Sequence, residues 1–305
     1  QWIYRNKEIF QQAFRNTFFM FELDGKLGTF YPEIEHKDKN VKEKTLLQDE
    51  ICGPKKTKKK KGLLSKKGML TKDQLQHLLQ QSTELIQTDP KIEAVFWPEV
   101  PFPLSWVDQV EQRQQIRQAV VKWQRPLFMV SSTVDNPKVI RGEQFAYYNV
   151  AQMIESTGIV LASQTKQKLV PFGEYLPGEE SFPFLRDWLP NARRYLPGDE
   201  LNLFPGVDGS SILAAICYDI GFEPILKKAL ESGVRIVWNP VNDGWFPSSM
   251  AAWHKALAQF RSAEMGLPLI RVSNSGYSVI ADDRGVVLQT GEWDLSLIHI
   301  SEPTR

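Results

Sequence analysis

Cysteine is scarce in this chain: 305 residues hold two, Cys52 and Cys217. They lie far apart in unlike surroundings, so no disulfide framework can be drawn from them, and they do not fix a redox compartment. Charge of one sign is also lacking. A net charge of +1 excludes the strong global field that draws nucleic acid or acidic partners. No stretch approaches the roughly 20 consecutive apolar residues that a membrane-crossing helix needs. The opening QWIYRNKEIF has neither Met nor the apolar h-region of a signal peptide, which leads to the expectation that the chain does not start at a natural N-terminus. The closing DLSLIHISEPTR fits no neighbouring pattern. It is read as a non-native, vector-like tail over residues 294–305 and set aside.

What is present suits a packed globular protein: 42% apolar and 11% aromatic residues, in a chain long enough to bury a substantial core. Residues 1–70 form a poorly defined N-terminal segment. RNTFFMFEL is a candidate first strand there, and KKTKKKKGLLSKK (55–67) is a dense cationic run. That run could meet anionic lipid head groups or nucleic acid, but no aromatics interleave with the lysines, which favours a solvated loop. A catalytic-type domain is expected over 71–293. Leucines at helical spacing predict a helix from Thr71 to Gln87, and WVDQVEQRQQIRQAVVKWQ predicts another. AVFWPEVPFP reads as a short buried strand broken by prolines, and PLFMVSSTVD as a strand. EQFAYYNVAQMIESTGIVLASQ reads as a hairpin turning near Ser156 to Gly158. The Pro- and Gly-rich stretch from Val170 to Gly209 is too long for a simple connection and reads as a functional loop or lid. Beyond it, strands Ile212–Cys217, Arg235–Asn239 and Leu269–Ser273 alternate with helices Pro224–Ser232 and Ala251–Met265, and a hairpin at Val279–Thr290 closes the domain. That alternation, with hairpins, indicates an α/β domain of mixed sheets.

Three residues sit where elements end. Glu99, in FWPEVPFP, follows a hydrophobic strand; partial desolvation would raise its pKa toward a general base's range, although a surface-turn glutamate fits the same letters. Lys166, in TKQKLVPFGEYLP, precedes an apolar turn where an ammonium could stabilise an oxyanion; beside Lys168 it could equally face solvent. Cys217 ends an apolar strand, as a nucleophile or a small core residue would. Each signal is weak alone.

Together, Glu then Lys then Cys, each at a strand end, resemble the nitrilase superfamily, and within it the apolipoprotein N-acyltransferase branch. The resemblance is carried by WPE (Trp97 to Glu99), K-x-x-L-V-P-F-G-E-Y (Lys166 to Tyr175) and I-C-Y-D (Ile216 to Asp219). N-D-G-W-F (Asn242 to Phe246) and R-S-A-E-M-G-L-P-L-I-R-V-S-N-S-G (Arg261 to Gly276) add to it, over roughly residues 70–290. It implies a nitrilase-like α-β-β-α sandwich of mixed sheets with an inserted lid loop. It also implies Glu99 as general base, Lys166 rather than Lys168 as electrostatic stabiliser, and Cys217 as nucleophile. Glu174 matches a further carboxylate near the site, and the Tyr218 backbone N–H a contributor to an oxyanion hole. Trp245 and Phe246 match an apolar wall suited to an acyl chain. The implied reaction moves an acyl chain from phospholipid, through a Cys217 thioester, to the N-terminal cysteine amine of a bacterial lipoprotein, with no metal or organic cofactor and no nucleic acid. The implied place is the bacterial inner membrane with the catalytic domain facing the periplasm, held by a membrane region that this chain lacks; the chain is then expected to be the catalytic part of a longer product. Two letters depart from the pattern: Asp219 stands where the branch has Glu, and Pro247 where it commonly has Gly. The alternative is a soluble carbon–nitrogen hydrolase that delivers the Cys217 acyl group to water.

Overall fold

The computed structural model describes residues 72–99, 109–140, 143–179, 181–182, 184, 187, 194–245, 248–274, 276–291 and 298–301. Cys52, the lysine-rich run, the candidate strand RNTFFMFEL, Phe246 and Pro247 lie outside them, as does the side chain of Trp245. The chain divides into two units at Leu46/Leu47, and all described residues belong to the second.

Helix α1 (Lys72–Thr88) turns Leu75, Leu78 and Ser82 inward, with Leu79 and Ile86 partly covered; this is the three-to-four spacing of an amphipathic helix. Helix α2 (Val110–Trp123) buries Ile116, Val120 and Trp123 and ends on Gln124 in the left-handed region at φ 54°. Both helices cover one face of a sheet ordered β11-β1-β2-β3-β4. Its strands are β1 (Ile92–Phe96), β2 (Leu127–Ile140), β3 (Glu143–Ile154), β4 (Val160–Thr165) and β11 (Ile298–Ser301). β1 and β2 run parallel and the other neighbours antiparallel. Residues 298–301, within the stretch set aside as a tail, supply an edge strand, with His299 opposite Val95.

The second sheet has the order β10-β9-β8-β7-β6-β5. Its strands are β5 (Phe204–Pro205), β6 (Ser211–Ala214), β7 (Ile236–Val241), β8 (Leu269–Ser273), β9 (Val279–Ala281) and β10 (Val287–Thr290). β6, β7 and β8 are parallel, as βαβ crossovers require. The crossovers are helices α3 (Glu223–Glu231) and α4 (Ser248–Met265), and Leu226, Ala229 and Ala258 pack with Leu213, Val237 and Leu269 on the outer face.

The inner faces of the two sheets meet in one core. The Phe96 and Phe128 rings stack at 4.3 Å, and Trp238 meets both edge-on at 5.8 and 5.7 Å. Aromatic pairs of this kind add about 0.5–1.5 kcal/mol each beyond area burial. Strand β1 therefore feeds both layers: Ala94 and Phe96 face the second sheet, Val95 and Trp97 face the helices. The described residues form the expected α-β-β-α sandwich. The stretch 170–209 carries only short pieces among its described residues: a Pro171–Tyr175 bridge, a Tyr147–Tyr195 bridge and the two residues of β5.

Candidate active site

β1 ends at Phe96, and the buried Trp97, whose Nε1–H donates to Ser82 Oγ at 3.1 Å, fixes the exit of the chain. Glu99 follows two residues on and is itself buried. Three donors converge on its carboxylate. Asn149 Nδ2 from β3 lies 2.7 Å from Oε1, Lys166 Nζ lies 3.4 Å from the same oxygen, and the Asn242 backbone N–H reaches Oε2 at 3.1 Å. Asn274 Nδ2 donates to the Glu99 carbonyl at 3.1 Å. Glu99 is thus held by both sheets.

Lys166 leaves the end of β4, 1% exposed. Its backbone N–H donates to the Asn149 carbonyl and its own carbonyl accepts from Gly198, both at 2.8 Å. Its nearer carboxylate is Glu174, at 2.8 Å. Burial opposes the ammonium charge, but Glu99 and Glu174 outweigh it and hold the pKa well above the usual lysine range. Lys168 lies elsewhere, its Nζ 5.5 Å from the centre of the Phe222 ring.

Glu174 belongs to a self-tied turn. Its backbone N–H donates to the Val170 carbonyl and its Oε2 accepts from the Val170 N–H, each at 2.8 Å. Phe172, in the middle, adopts φ 64° and is about half exposed. Positive φ is uncommon outside glycine and is kept only where the surroundings enforce it.

Cys217 closes the constellation. The sequence predicted a strand through Cys217, but β6 ends at Ala214, Ala215 donates one more N–H to Trp238, and Cys217 opens a 3-10 turn at φ 47°. A left-handed residue cannot continue a strand, so the backbone breaks there and turns the side chain away from the ladder. The thiol is buried. Burial, and after it the Glu99 charge, pushes its pKa well above the usual thiol range, and Lys166 pulls the other way. A resting thiol, with a carboxylate and an ammonium in electrostatic reach, is the arrangement.

Asp219, in the same 3-10 turn, accepts from the Lys168 N–H at 2.7 Å and the Gln167 N–H at 3.4 Å. It joins the segment after Lys166 to the turn of Cys217. Burial raises its pKa to about 7, against the pull of Lys166 and those two N–H groups. Tyr218 is exposed, its ring edge-on to Phe222 at 4.9 Å. Trp245 falls in a short 3-10 turn, Asp243–Trp245.

Sequence reading missed a buried layer beneath Cys217. Arg271 on β8 is fully buried and donates to Asn239 Oδ1 at 2.6 Å, Asp243 Oδ2 at 2.7 Å and the Tyr277 carbonyl at 3.2 Å. Burial works against the Asp243 charge, yet Arg271 and then His254 keep its pKa below the usual carboxylate range. The signal was in the sequence, since Asp243 and Arg271 both fall inside the quoted motifs, but no spacing rule pairs them. Among the described residues no group of His, Cys, Asp and Glu is placed to hold a metal ion, and no helix is long and apolar enough to cross a membrane.

Residues 66–301 match the carbon-nitrogen hydrolase family. The chain is 32% identical over 203 residues to the apolipoprotein N-acyltransferase of Allorhizobium ampelinum, covering 65% of this chain and 37% of that protein. It is 30% identical over 217 residues to the protein of the same name from Brucella melitensis, covering 69% and 39%. The chain thus spans well under half the length of these curated relatives. Among solved structures it resembles a carbon-nitrogen hydrolase from Helicobacter pylori G27, with a TM-score of 0.56 and 14% identity over 75% of this chain and 83% of that one. It also resembles a cysteine-to-serine variant of the Nesterenkonia AN1 amidase from the nitrilase superfamily, at TM-score 0.56 and 19% identity over 75% and 86%. At such identities the likeness is one of fold.

Proposed function

Given that the chain belongs to the carbon-nitrogen hydrolase family, we propose that it catalyses apolipoprotein N-acyl transfer with Glu99, Lys166 and Cys217 as its reacting groups. The observation that carries this reading is the Lys166–Glu174 pair at 2.8 Å, formed by the two charged ends of the run KQKLVPFGE, which supplies a second carboxylate beside the one at Glu99. The names borne by the relatives matched across two thirds of the chain support it.

With Glu174 neutralising the Lys166 ammonium, the Glu99 carboxylate is the base that takes the Cys217 proton. The thiolate attacks the ester carbonyl of a phospholipid acyl chain; Lys166 and backbone N–H groups, that of Tyr218 among them, stabilise the oxyanion. Collapse breaks the ester C–O bond, Glu99 returns the proton to the departing alkoxide, and a lysophospholipid leaves. The thioester then yields its acyl group to the α-amine of a lipoprotein's N-terminal cysteine, Glu99 taking the amine proton and the thiol being restored. Exposed aromatics suit a lipid donor: Phe172, Phe182 and Phe184 are each about half exposed on the stretch after Lys166, with the last two edge-to-face at 6.0 Å. Trp245 and Phe246 are proposed as part of the acyl wall. The proposed location is the bacterial inner membrane, with this domain on the periplasmic side.

The test is the intact mass of the protein after incubation with phosphatidylethanolamine, beside Cys217→Ala. An acyl adduct that hydroxylamine removes, absent from the variant, is the expected result. No adduct, with turnover of small amides instead, would replace the reading with a hydrolase that passes its acyl group to water.

A further inference from the structure

The Cys217 carbonyl is gripped from two sides by side chains that trace back to a single guanidinium. On one side Arg271 Nη1 donates to Asn239 Oδ1 at 2.6 Å, and Asn239 Nδ2 reaches the Ala215 carbonyl at 2.6 Å and the Cys217 carbonyl at 3.4 Å. On the other, Arg271 Nη2 donates to Asp243 Oδ2 at 2.7 Å, Asp243 Oδ1 lies 3.0 Å from His254 Nδ1, and His254 Nε2 lies 3.1 Å from the Cys217 carbonyl. The shorter and better contact to that carbonyl is the imidazole's. Cys217 holds φ 47°, a conformation that a non-glycine residue keeps only where its surroundings over-determine it. Asn239 holds the Ala215 carbonyl two residues before the cysteine, the Ile216 carbonyl accepts from the Asp219 N–H at 2.9 Å, and His254 holds the carbonyl of the cysteine itself.

We propose that His254 is a positioning residue for the nucleophile: its Nε2–H holds the Cys217 carbonyl and so keeps the left-handed backbone that presents the thiol to Glu99 and Lys166. Asp243, oriented by Arg271 and by Ser273 Oγ at 3.2 Å, sets the ring. Both partners of the ring are acceptors only, so each contact needs an N–H. Burial, and after it Arg271, push the imidazole below its usual range, while Asp243 and the carbonyl pull it up. The contact to the Cys217 carbonyl needs only that the proton sit on Nε2. The inference rests on the proposed function only in taking Cys217 as the nucleophile.

The test uses a property that needs no acyl donor: alkylation of Cys217 by iodoacetamide in the full chain, followed by intact mass in a Cys52→Ser background. His254→Gln keeps a donor at the Nε2 position; His254→Met has the same length and no donor. Given the strain involved, the Met variant is expected to react about tenfold or more slowly while the Gln variant stays within about threefold of the parent. Circular dichroism is read on every sample to establish that it is folded. A Met variant that reacts at the parental rate, or a folded Gln variant as slow as Met, overturns the proposal. If Met does not fold, Gln decides alone: near-parental reaction supports the role, and a tenfold loss or a failure to fold overturns it. A failure of acyl transfer with alkylation behaving as expected would count against the proposed function and not against this role.

Discussion

Glu174 holds the Lys166 ammonium at 2.8 Å, closer than the 3.4 Å that separates the same nitrogen from Glu99. The two carboxylates therefore divide their work. Glu174, anchored by the Val170 N–H on its other oxygen, compensates the buried charge. Glu99 keeps a looser contact to Lys166. Replacing Glu174 with Gln retains an oxygen for Val170 but removes the charge. Acyl transfer is expected to fall about 10²-fold, in line with the loss of one preorganised electrostatic contact, with the fold intact by circular dichroism. Equal rates for the variant and the parent would remove Glu174 from the site.

Glu99→Gln removes the proton acceptor and turns an amide nitrogen toward one of the donors on the carboxylate. The amide preserves shape but cannot accept a proton from the thiol, so the first turnover should slow by about 10²–10⁴-fold, the usual worth of a general base. Rapid-quench measurement of lysophospholipid release reads that step directly. A burst of parental rate in the variant would assign the base elsewhere.

Asp219 makes stability depend on pH in a stated sense. Its folded pKa of about 7 stands above the unfolded value of about 3.9, so the folded state binds the proton more tightly between them. Its contribution to stability is complete below about pH 4 and is lost as pH rises through about 7. Melting temperature is expected to fall between pH 5.5 and 8, and Asp219→Asn, which keeps an oxygen for the Lys168 N–H and gives up the one that faces the Gln167 N–H, should shrink that fall by about 2–4 °C for each kcal/mol involved. An unchanged pH dependence in the variant would mean that Asp219 does not titrate there.

Gly276→Ala tests the layer beneath the nucleophile from a distance. A Cβ at Gly276 would lie 2.4 Å from Asp243 Oδ2 and 2.8 Å from Ser273 Oγ, so Asp243 must move off Arg271. Disturbing a buried ion pair in this way costs about 3–5 kcal/mol. Urea denaturation should show that loss, and a midpoint equal to the parent's would show that the layer yields at no cost.

Much of the fold could be read from the chain because local patterns and tertiary demands agree. Strand Leu269–Ser273 is found where the sequence placed it, as are the hairpin around Gly158, the leucine-spaced helix Lys72–Thr88 and the amphipathic helix Val110–Trp123. Where they disagree, tertiary structure won. Cys217 looked like the last residue of a strand, but the strand stops at Ala214 and the Cys217 carbonyl meets Asn239 and His254, which come from other elements. Arg271 sits in a five-residue strand whose members are all buried; a charge there makes sense only once Asp243 and Asn239 arrive from other elements. Glu99, Lys166 and Cys217 were visible as letters at element ends, but the donors on Glu99 from Asn149 and Asn242 come from both sheets, and no periodicity foretells such a meeting.

That meeting has a consequence for how the protein is made. Glu99, Lys166 and Glu174 precede Cys217 in the chain, and the strands and helix that carry Asn239, Asp243, His254 and Arg271 follow it. A nascent chain therefore acquires Glu99 and Lys166 first, Cys217 next, and the residues that contact the Cys217 carbonyl last. Until the second layer is in place, the Cys217 carbonyl has neither Asn239 nor His254 to hold it.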